Sequence, residues 1–311
     1  MSSIIDVRKK KYEDLAGYDQ ELSKDGLAYI YNVMPESDRN LKESVLGYIN
    51  GTLEAYYHRE FNISNDDELH ENIDKILGLP NVTPNGALVP KNETAYLTND
   101  IQKSLIDYLE EIDILRYVKS LETVNVLIKS YTEVDKFSHR PYYTGKIHTD
   151  AWVGHHSDGI VWLGILGVGD DNTMEIFEPI NPSNNFLTIS QDFDEALKRC
   201  NGVKSLGKMS NHKMILMDHI CLHQTYYTPS AKTRVTINCG IIMNNPYSYE
   251  HSAEKIERFN LAFYPINTLR EIGRTLSFHV EESLKEAEDK FKPGVDSQKI
   301  LPNNGIVIKE I

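Results

Sequence analysis

Cysteine is scarce: Cys200, Cys221 and Cys239 are the three thiols in 311 residues, with no CxxC pair and no regular spacing. That scarcity excludes a disulfide framework and a zinc knuckle, leaving three reduced thiols. No run of 18 uninterrupted apolar residues occurs, and Met1-Ser-Ser-Ile-Ile-Asp-Val-Arg-Lys-Lys-Lys places no apolar stretch after its positive charges. Neither a spanning helix nor a secretion signal is therefore expected, and a cytoplasmic protein is. A basic excess is missing as well: 33 Lys and Arg face 46 Asp and Glu, a net charge of −13. This balance argues against nucleic acid and against an anionic membrane as partners. Repeats, low-complexity tracts and flexible linkers are also lacking, so the simplest organisation is one domain over residues 1–311.

What is present falls into three parts. Residues 1–121 read as a mostly helical extension, opened by the short strand-like run Leu27-Ala-Tyr-Ile-Tyr31. Residues 37–61 carry Leu41, Val45, Leu46, Ile49 and Leu53 at helical spacing. Ser64 with Asp67 opens a second helix, which Gly78-Leu-Pro80 ends, and Pro84-Asn-Gly86 with Pro90 marks a loop. Asn99 followed by Gln102 resembles a capping box, predicting a helix from there to about Leu121.

Residues 122–245 are β-rich, with strand-like runs at 124–131, 142–143, 159–166, 173–177, 186–189, 213–217 and 234–243. Such a series of short strands suits a double-stranded β-helix, the jelly roll of cupins. Residues 246–311 return to a helical pattern at 254–263 and 268–291, the latter with Leu269, Ile272, Leu276, Val280 and Leu284 on one face. Those helices would brace the sheet, or form a homodimer contact. The fold class expected is α+β, a jelly-roll core braced by N- and C-terminal helices.

Within the β-rich part, His148-Thr-Asp150 is followed 73 residues later by His223, and 11 residues after that by Arg234-Val-Thr236. Two imidazoles and one carboxylate occupy one face of an octahedral iron(II), leaving three positions for a chelating cosubstrate and dioxygen. Residues i and i+2 of a strand point to one side, so His148 and Asp150 can reach one metal while Thr149 faces away. The second histidine then comes from another strand, which explains the long gap. His219, four residues before His223, is the competing ligand. A guanidinium grips a carboxylate through two parallel hydrogen bonds, so Arg234 is suited to hold an acid, with Thr236 on the same strand face as a further donor.

On these residues the chain resembles the iron(II)/2-oxoglutarate oxygenases of the phytanoyl-CoA dioxygenase-like group, especially small-molecule hydroxylases of antibiotic and sugar biosynthesis. Trp152 lies just beyond the first ligand pair, Asp218 precedes His223 by five residues, and Arg234-Val-Thr236 matches an Arg-x-Ser/Thr ending. The resemblance covers roughly residues 120–245, and it departs where Glu178-Pro-Ile-Asn-Pro182 replaces a Pro-Gly-Ser-His turn.

The resemblance implies iron(II) held by His148, Asp150 and His223, with 2-oxoglutarate and dioxygen as cosubstrates. Arg234 and Thr236 would anchor the distal carboxylate of the keto acid, with Tyr143, Lys129 and Tyr131 as further candidate contacts. His155, His156 and Trp162 would border the prime substrate. Asp150 fills the position that a chloride needs in related halogenases, so the implied reaction is hydroxylation of an unactivated C–H bond in a small polar metabolite, with release of succinate and CO2. A cupin-like sugar isomerase or epimerase, or a non-catalytic metal-binding jelly roll, is the alternative. The isomerase leaves Arg234 without its acid.

Overall fold

Alternation of side chains along the strands decides how this chain layers. The computed structural model describes residues 4–13, 15, 27–83, 86–91, 93–131, 143–153, 157–190, 192–210, 212–246, 263–270, 276–280 and 306–310. In chain order the elements begin with α1 (Ile4–Lys9), β1 (Ala28–Asn32), α2 (Pro35–Tyr57), α3 (Asp66–Glu71), α4 (Ile73–Leu77), β2 (Ala87–Leu88) and α5 (Ala95–Glu111). The strands β3 (Val118–Glu122), β4 (Asn125–Lys129), β5 (Gly159–Leu166) and β6 (Asn172–Pro179) follow. Next come α6 (Phe193–Leu197), β7 (Val203–Lys208), β8 (Lys213–Met217), β9 (Leu222–Tyr227) and β10 (Arg234–Met243). The last described elements are β11 (Phe263–Pro265), α7 (Ile266–Arg270), β12 (Leu276–Val280) and β13 (Ile306–Glu310).

The major sheet runs β1-β8-β5-β10-β3-β11, with β4 also paired to β10 and β2 paired to β4. The minor sheet runs β7-β6-β9. All of these pairings are antiparallel. Together the two sheets make the double-stranded β-helix.

Period two sorts each strand of the major sheet into an outer and an inner set. Val161, Leu163, Met214, Leu216, Val235, Ile237, Cys239 and Ile241 point outward and pack against Leu41, Val45, Ile49 and Leu53 of α2 and Ile101, Leu105 and Leu109 of α5. Ala28, Ile30, Ile160, Trp162, Ile215 and Met217 point inward, in one cluster with Met174 and Ile176 of β6. Each fully buried aliphatic side chain contributes about 1.5–3 kcal/mol. The helical extension thus secures the sheet that carries the pocket wall. No helix among the described residues is long and apolar enough to cross a membrane.

Several sequence expectations need correction. Asn99 is no cap: α5 begins at Ala95, and Asn99 is buried inside it. Gln102 instead accepts the backbone N–H of Val124 at 2.8 Å, fixing the entry to β4. The helix stops at Glu111, before the left-handed Asp113 (φ 60°), and Val118–Glu122 is a strand, because its residues complete the edge of β10. Residues 184–187 are turn rather than part of a strand. Phe186 is buried there, and its carbonyl takes the Trp152 indole N–H at 2.7 Å. The second helix is also split at Asn72, after an N-cap at Asn65 whose side chain accepts from the N–H groups of Asp67 and Glu68.

The C-terminal helices are corrected furthest. Of the long helix expected over 268–291, residues 268–270 belong to α7, whereas Leu276–Val280 is a strand paired with Ile306–Glu310. Leu276-Ser-Phe-His-Val280 alternates apolar and polar residues, which is the strand period. Phe263–Pro265 is a strand on β3. Residues 254–262 and 281–291 lie outside the described residues, as does any dimer contact through them.

Candidate metal centre and anion pocket

His148 and His223 are brought face to face by their own backbones. The His148 N–H donates to the His223 carbonyl at 2.9 Å, and the His223 N–H returns a bond to the His148 carbonyl at 2.8 Å. This isolated bridge, at the edge of the minor sheet, sets the two imidazole centroids 4.3 Å apart. Asp150 opens the 3-10 turn Asp150–Val153, which swings its carboxylate back so that Oδ1 lies 3.7 Å from Nε2 of His223. One ligand atom from each of His148, Asp150 and His223 falls within 4.8 Å of the others.

The tautomers suit a metal. Nδ1 of His148 donates to the Lys146 carbonyl at 2.8 Å, and Nδ1 of His223 faces the Cys221 carbonyl at 3.4 Å. Both Nε2 lone pairs are then left for a shared ion, the arrangement that orients ligating histidines generally. Burial, followed by the neighbouring His223, holds the His148 pKa down to about 3. Its imidazole is therefore neutral, the form that binds metal. Phe193 of α6 stacks on the His148 ring at 4.7 Å and 5°, and Trp152 packs 6.0 Å from Phe193. Thr149 points the other way, its hydroxyl donating to the His219 carbonyl.

The group that could hold a metal includes His223 and not His219. His219 is buried, with Nδ1 2.8 Å from the Ser157 hydroxyl, outside the group that surrounds the metal position.

Between the sheets, composition changes from one side to the other. On the β1-β8-β5 side the layer is apolar. On the β10-β4 side, the inward positions are Arg234, Thr236 and Asn238 on β10 and Asn125, Leu127 and Lys129 on β4, directly paired as Arg234 with Lys129, Thr236 with Leu127, and Asn238 with Asn125. Asn125, Leu127 and Asn238 are only partly buried although they sit on this inward face.

Arg234 is the decisive group in that layer. It is 2 % exposed, its guanidinium carbon lies 5.7 Å from the Trp162 ring, and among the described residues Nε and Nη1 have no hydrogen-bond partner. The Thr236 hydroxyl, also buried, has none among them either. Burial holds the Arg234 pKa down to about 9. A buried cation without a counterion is costly, so this arrangement suits an anion bound beside it.

Lys129 joins the two halves of the site. It is 8 % exposed, its Nζ is 3.4 Å from the Thr144 hydroxyl, and its charge depresses the pKa of His148. The Thr144 carbonyl in turn accepts the Thr225 N–H of β9 at 2.8 Å. Tyr143 adjoins this segment, its ring so close over Gly145 that a Cβ there would stand 2.3 Å from it. Trp162 forms the wall under Arg234, whereas Tyr131 is 37 % exposed at the end of β4. His155 and His156 lie outside the described residues.

Reading the sequence missed Phe193, the orienting carbonyls of Lys146 and Cys221, and the paired amides Asn125 and Asn238. Only the amides left a signal: in Arg234-Val-Thr-Ile-Asn-Cys239 every second residue is polar although the strand is central.

No protein-family model matches the chain. No curated protein matches it either. Among solved structures it is similar to the non-heme alpha-ketoglutarate-dependent carbocyclase SnoK from nogalamycin biosynthesis, with a TM-score of 0.40 and 9 % identity over 75 % of this chain and 85 % of that one. An N-substituted L-amino acid dioxygenase from Burkholderia ambifaria, in complex with alpha-KG, gives a TM-score of 0.34 and 14 % identity over 78 % and 92 %. AviO1 from Streptomyces viridochromogenes gives 0.33 and 11 % over 78 % and 96 %.

Proposed function

We propose that this protein is an iron(II)- and 2-oxoglutarate-dependent dioxygenase that hydroxylates a small polar metabolite. The observation that carries the reading is the buried guanidinium of Arg234, whose Nε and Nη1 have no partner among the described residues, on the inward face of the same double-stranded β-helix as a two-histidine, one-carboxylate cluster. A metal cluster alone fits many proteins. A cluster combined with a separate, buried cationic site fits a chelating keto acid whose far carboxylate needs a cation.

The residues present fit both groups. His148, Asp150 and His223 would hold iron(II), and Arg234 with Thr236 would take the distal carboxylate of 2-oxoglutarate. Iron(II) with the keto acid supplies oxygen activation, coupling decarboxylation to succinate and CO2 with oxidation of an unactivated C–H bond. The protein orients and excludes. The Lys146 and Cys221 carbonyls fix the imidazole tautomers, Phe193 holds the His148 ring, and Trp162 walls the acid from water. Asp150 fills the position a chloride would take, which favours hydroxylation over halogenation.

Asn125 and Asn238 support a polar prime substrate. Their amides face each other across β4 and β10, inward and partly exposed, and offer both donors and acceptors. We assign the partner as a small molecule, in a cytoplasmic setting where iron(II) and 2-oxoglutarate are available.

Anaerobic addition of iron(II) and 2-oxoglutarate tests the reading. A visible charge-transfer band is expected, lost in His148→Ala and Asp150→Ala. A native protein that gives no band would instead favour a sugar isomerase, an epimerase or a non-catalytic jelly roll.

A further inference from the structure

We infer that α1 positions the metal ligands, with Arg8 as the positioning residue that acts on His223 through Asp218. The inference rests on the metal-centre reading above and adds to it an element more than 130 residues away from any ligand in sequence.

Two ion pairs bind α1 and the 3-10 turn Lys10–Tyr12 that follows it to the double-stranded β-helix. Nη1 of Arg8 lies 2.6 Å from Oδ1 of Asp218, with side chains 7 % and 0 % exposed. Nζ of Lys11 lies 2.9 Å from Oδ1 of Asp158, with side chains 5 % and 0 % exposed. The Tyr12 hydroxyl adds a bond to the Asp158 carbonyl at 2.6 Å, and Asn245 donates to the Lys11 carbonyl at 2.8 Å. Nothing in the proposed chemistry uses these groups.

The two carboxylates sit at the roots of the segments that carry the ligands. Asp218 folds the turn from β8 to β9: its Oδ1 accepts the Ile220 N–H at 2.8 Å and its carbonyl accepts the Cys221 N–H at 2.9 Å. That turn ends in the Cys221 carbonyl, which faces Nδ1 of His223. Asp158 follows Ser157, whose hydroxyl meets His219 within the same turn, and the carboxylate itself accepts the Met243 N–H at 2.7 Å. The His219 carbonyl then takes the hydroxyl of Thr149, which stands between His148 and Asp150.

One connected path therefore runs from Arg8 to all three ligands. Among the described residues Oδ2 of Asp218 has no hydrogen-bond partner, and Arg8 is the cation paired with the carboxylate, through Oδ1. Removing the guanidinium leaves a buried carboxylate unpaired at the root of the turn, where the least costly response is movement of the turn itself. Partners behind metal ligands commonly change metal affinity by about 10–100-fold.

Cobalt(II) binding to the full chain tests this, by calorimetry and by the ligand-field absorption of the bound ion. Arg8→Gln should bind cobalt(II) about 10–100-fold more weakly, with shifted bands. Arg8→Lys, which keeps the charge, should recover most of the affinity. The double variant Arg8→Met with Asp218→Asn removes both charges; it should recover thermal stability but not wild-type affinity or bands, and it serves where Arg8→Gln does not fold. Wild-type affinity and bands in the double variant would overturn the inference, leaving the buried pair as a plain anchor. A wild-type chain that binds no cobalt(II) would overturn the metal-centre reading and this inference with it.

Discussion

The Arg234 guanidinium carbon lies 5.7 Å from the Trp162 ring centroid, on the inward face of the major sheet, with two of its nitrogens lacking an acceptor among the described residues. An aromatic face offsets part of the desolvation of a cation, but it does not replace a counterion. Arg234→Met should therefore abolish the response to 2-oxoglutarate, at a cost of about 2–5 kcal/mol in affinity for the acid, while cobalt(II) binding stays near wild type. Equal loss of metal and acid binding in a calorimetric titration would sink the assigned role.

The same cation predicts a stability effect of opposite sign. Because burial lowers the Arg234 pKa to about 9, the folded state holds this proton less tightly than the unfolded chain does. The penalty is present in full at neutral pH, and stability rises only as pH climbs through the window above 9. Without ligand at pH 7, Arg234→Met should melt higher than the wild type, by up to about 1–4 kcal/mol in stability. Saturating 2-oxoglutarate should reverse the order, since about 100-fold excess over Kd stabilises a binding protein by roughly 2.7 kcal/mol. Melting curves with and without the acid decide it.

His219 and His223 lie four residues apart, yet their surroundings differ: His223 stands with His148 and Asp150, and His219 meets the Ser157 hydroxyl. His223→Gln should eliminate cobalt(II) binding with little change in melting temperature. His219→Phe should keep the ligand set but leave the buried Ser157 hydroxyl without its imidazole, costing about 1–3 kcal/mol. Paired metal titrations and melts separate the two, and loss of all metal binding on changing His219 would contradict the assignment.

Most of the pocket wall was legible because it lies on strands with simple patterns. The runs containing β5, β6, β8 and β10 are apolar or alternate cleanly, and the spacing of His148, Asp150, His223 and Arg234 then suggested the site. Strands β7 and β9 escaped because they bury little: Val203–Lys208 reads half-exposed or exposed throughout, and five of the six residues in Leu222–Tyr227 are only partly buried. Their pairing comes from β6, which no local pattern reports. Phe186 misled in the opposite way, since an apolar residue in a turn is there to cover Trp152, 5.5 Å away. The fold of residues 118–122 depends on an open edge of β10 that is distant in sequence.

Phe193 offers a test of how firmly the first histidine is held. Its ring lies parallel to His148 and its centroid is 6.0 Å from that of Trp152, so Phe193→Ala opens a cavity against one face of the imidazole. A buried phenylalanine truncated to alanine costs about 3–5 kcal/mol. Metal affinity should fall as well, because His148 gains rotational freedom while its Lys146 bond is retained. Phe193→Leu, closer in volume, should recover most of both. Unchanged cobalt(II) affinity in a folded Phe193→Ala protein would show that the Lys146 carbonyl alone fixes the ring.

Gly167 tests the placement of the anion site from the backbone side. It holds φ at +62°, and a Cβ there would stand 2.0 Å from the Thr233 carbonyl oxygen and 3.3 Å from Cα of Arg234. Its N–H donates to Asp66 of α3 at 3.1 Å, while His70 of the same helix sits 3.0 Å from the Thr233 hydroxyl. The corner after β5 and the start of β10 are thus locked together by one helix. Left-handed backbone costs a non-glycine residue about 1–2 kcal/mol, and the clash with Thr233 adds to it. The backbone there cannot relax without moving the residue that follows, which is Arg234. Gly167→Ala should therefore lower the melting temperature and weaken 2-oxoglutarate about tenfold or more, the equivalent of roughly 1.4 kcal/mol, with cobalt(II) affinity preserved. A destabilised variant that still binds the acid with wild-type affinity would mean that the corner supports the fold without setting the position of the guanidinium.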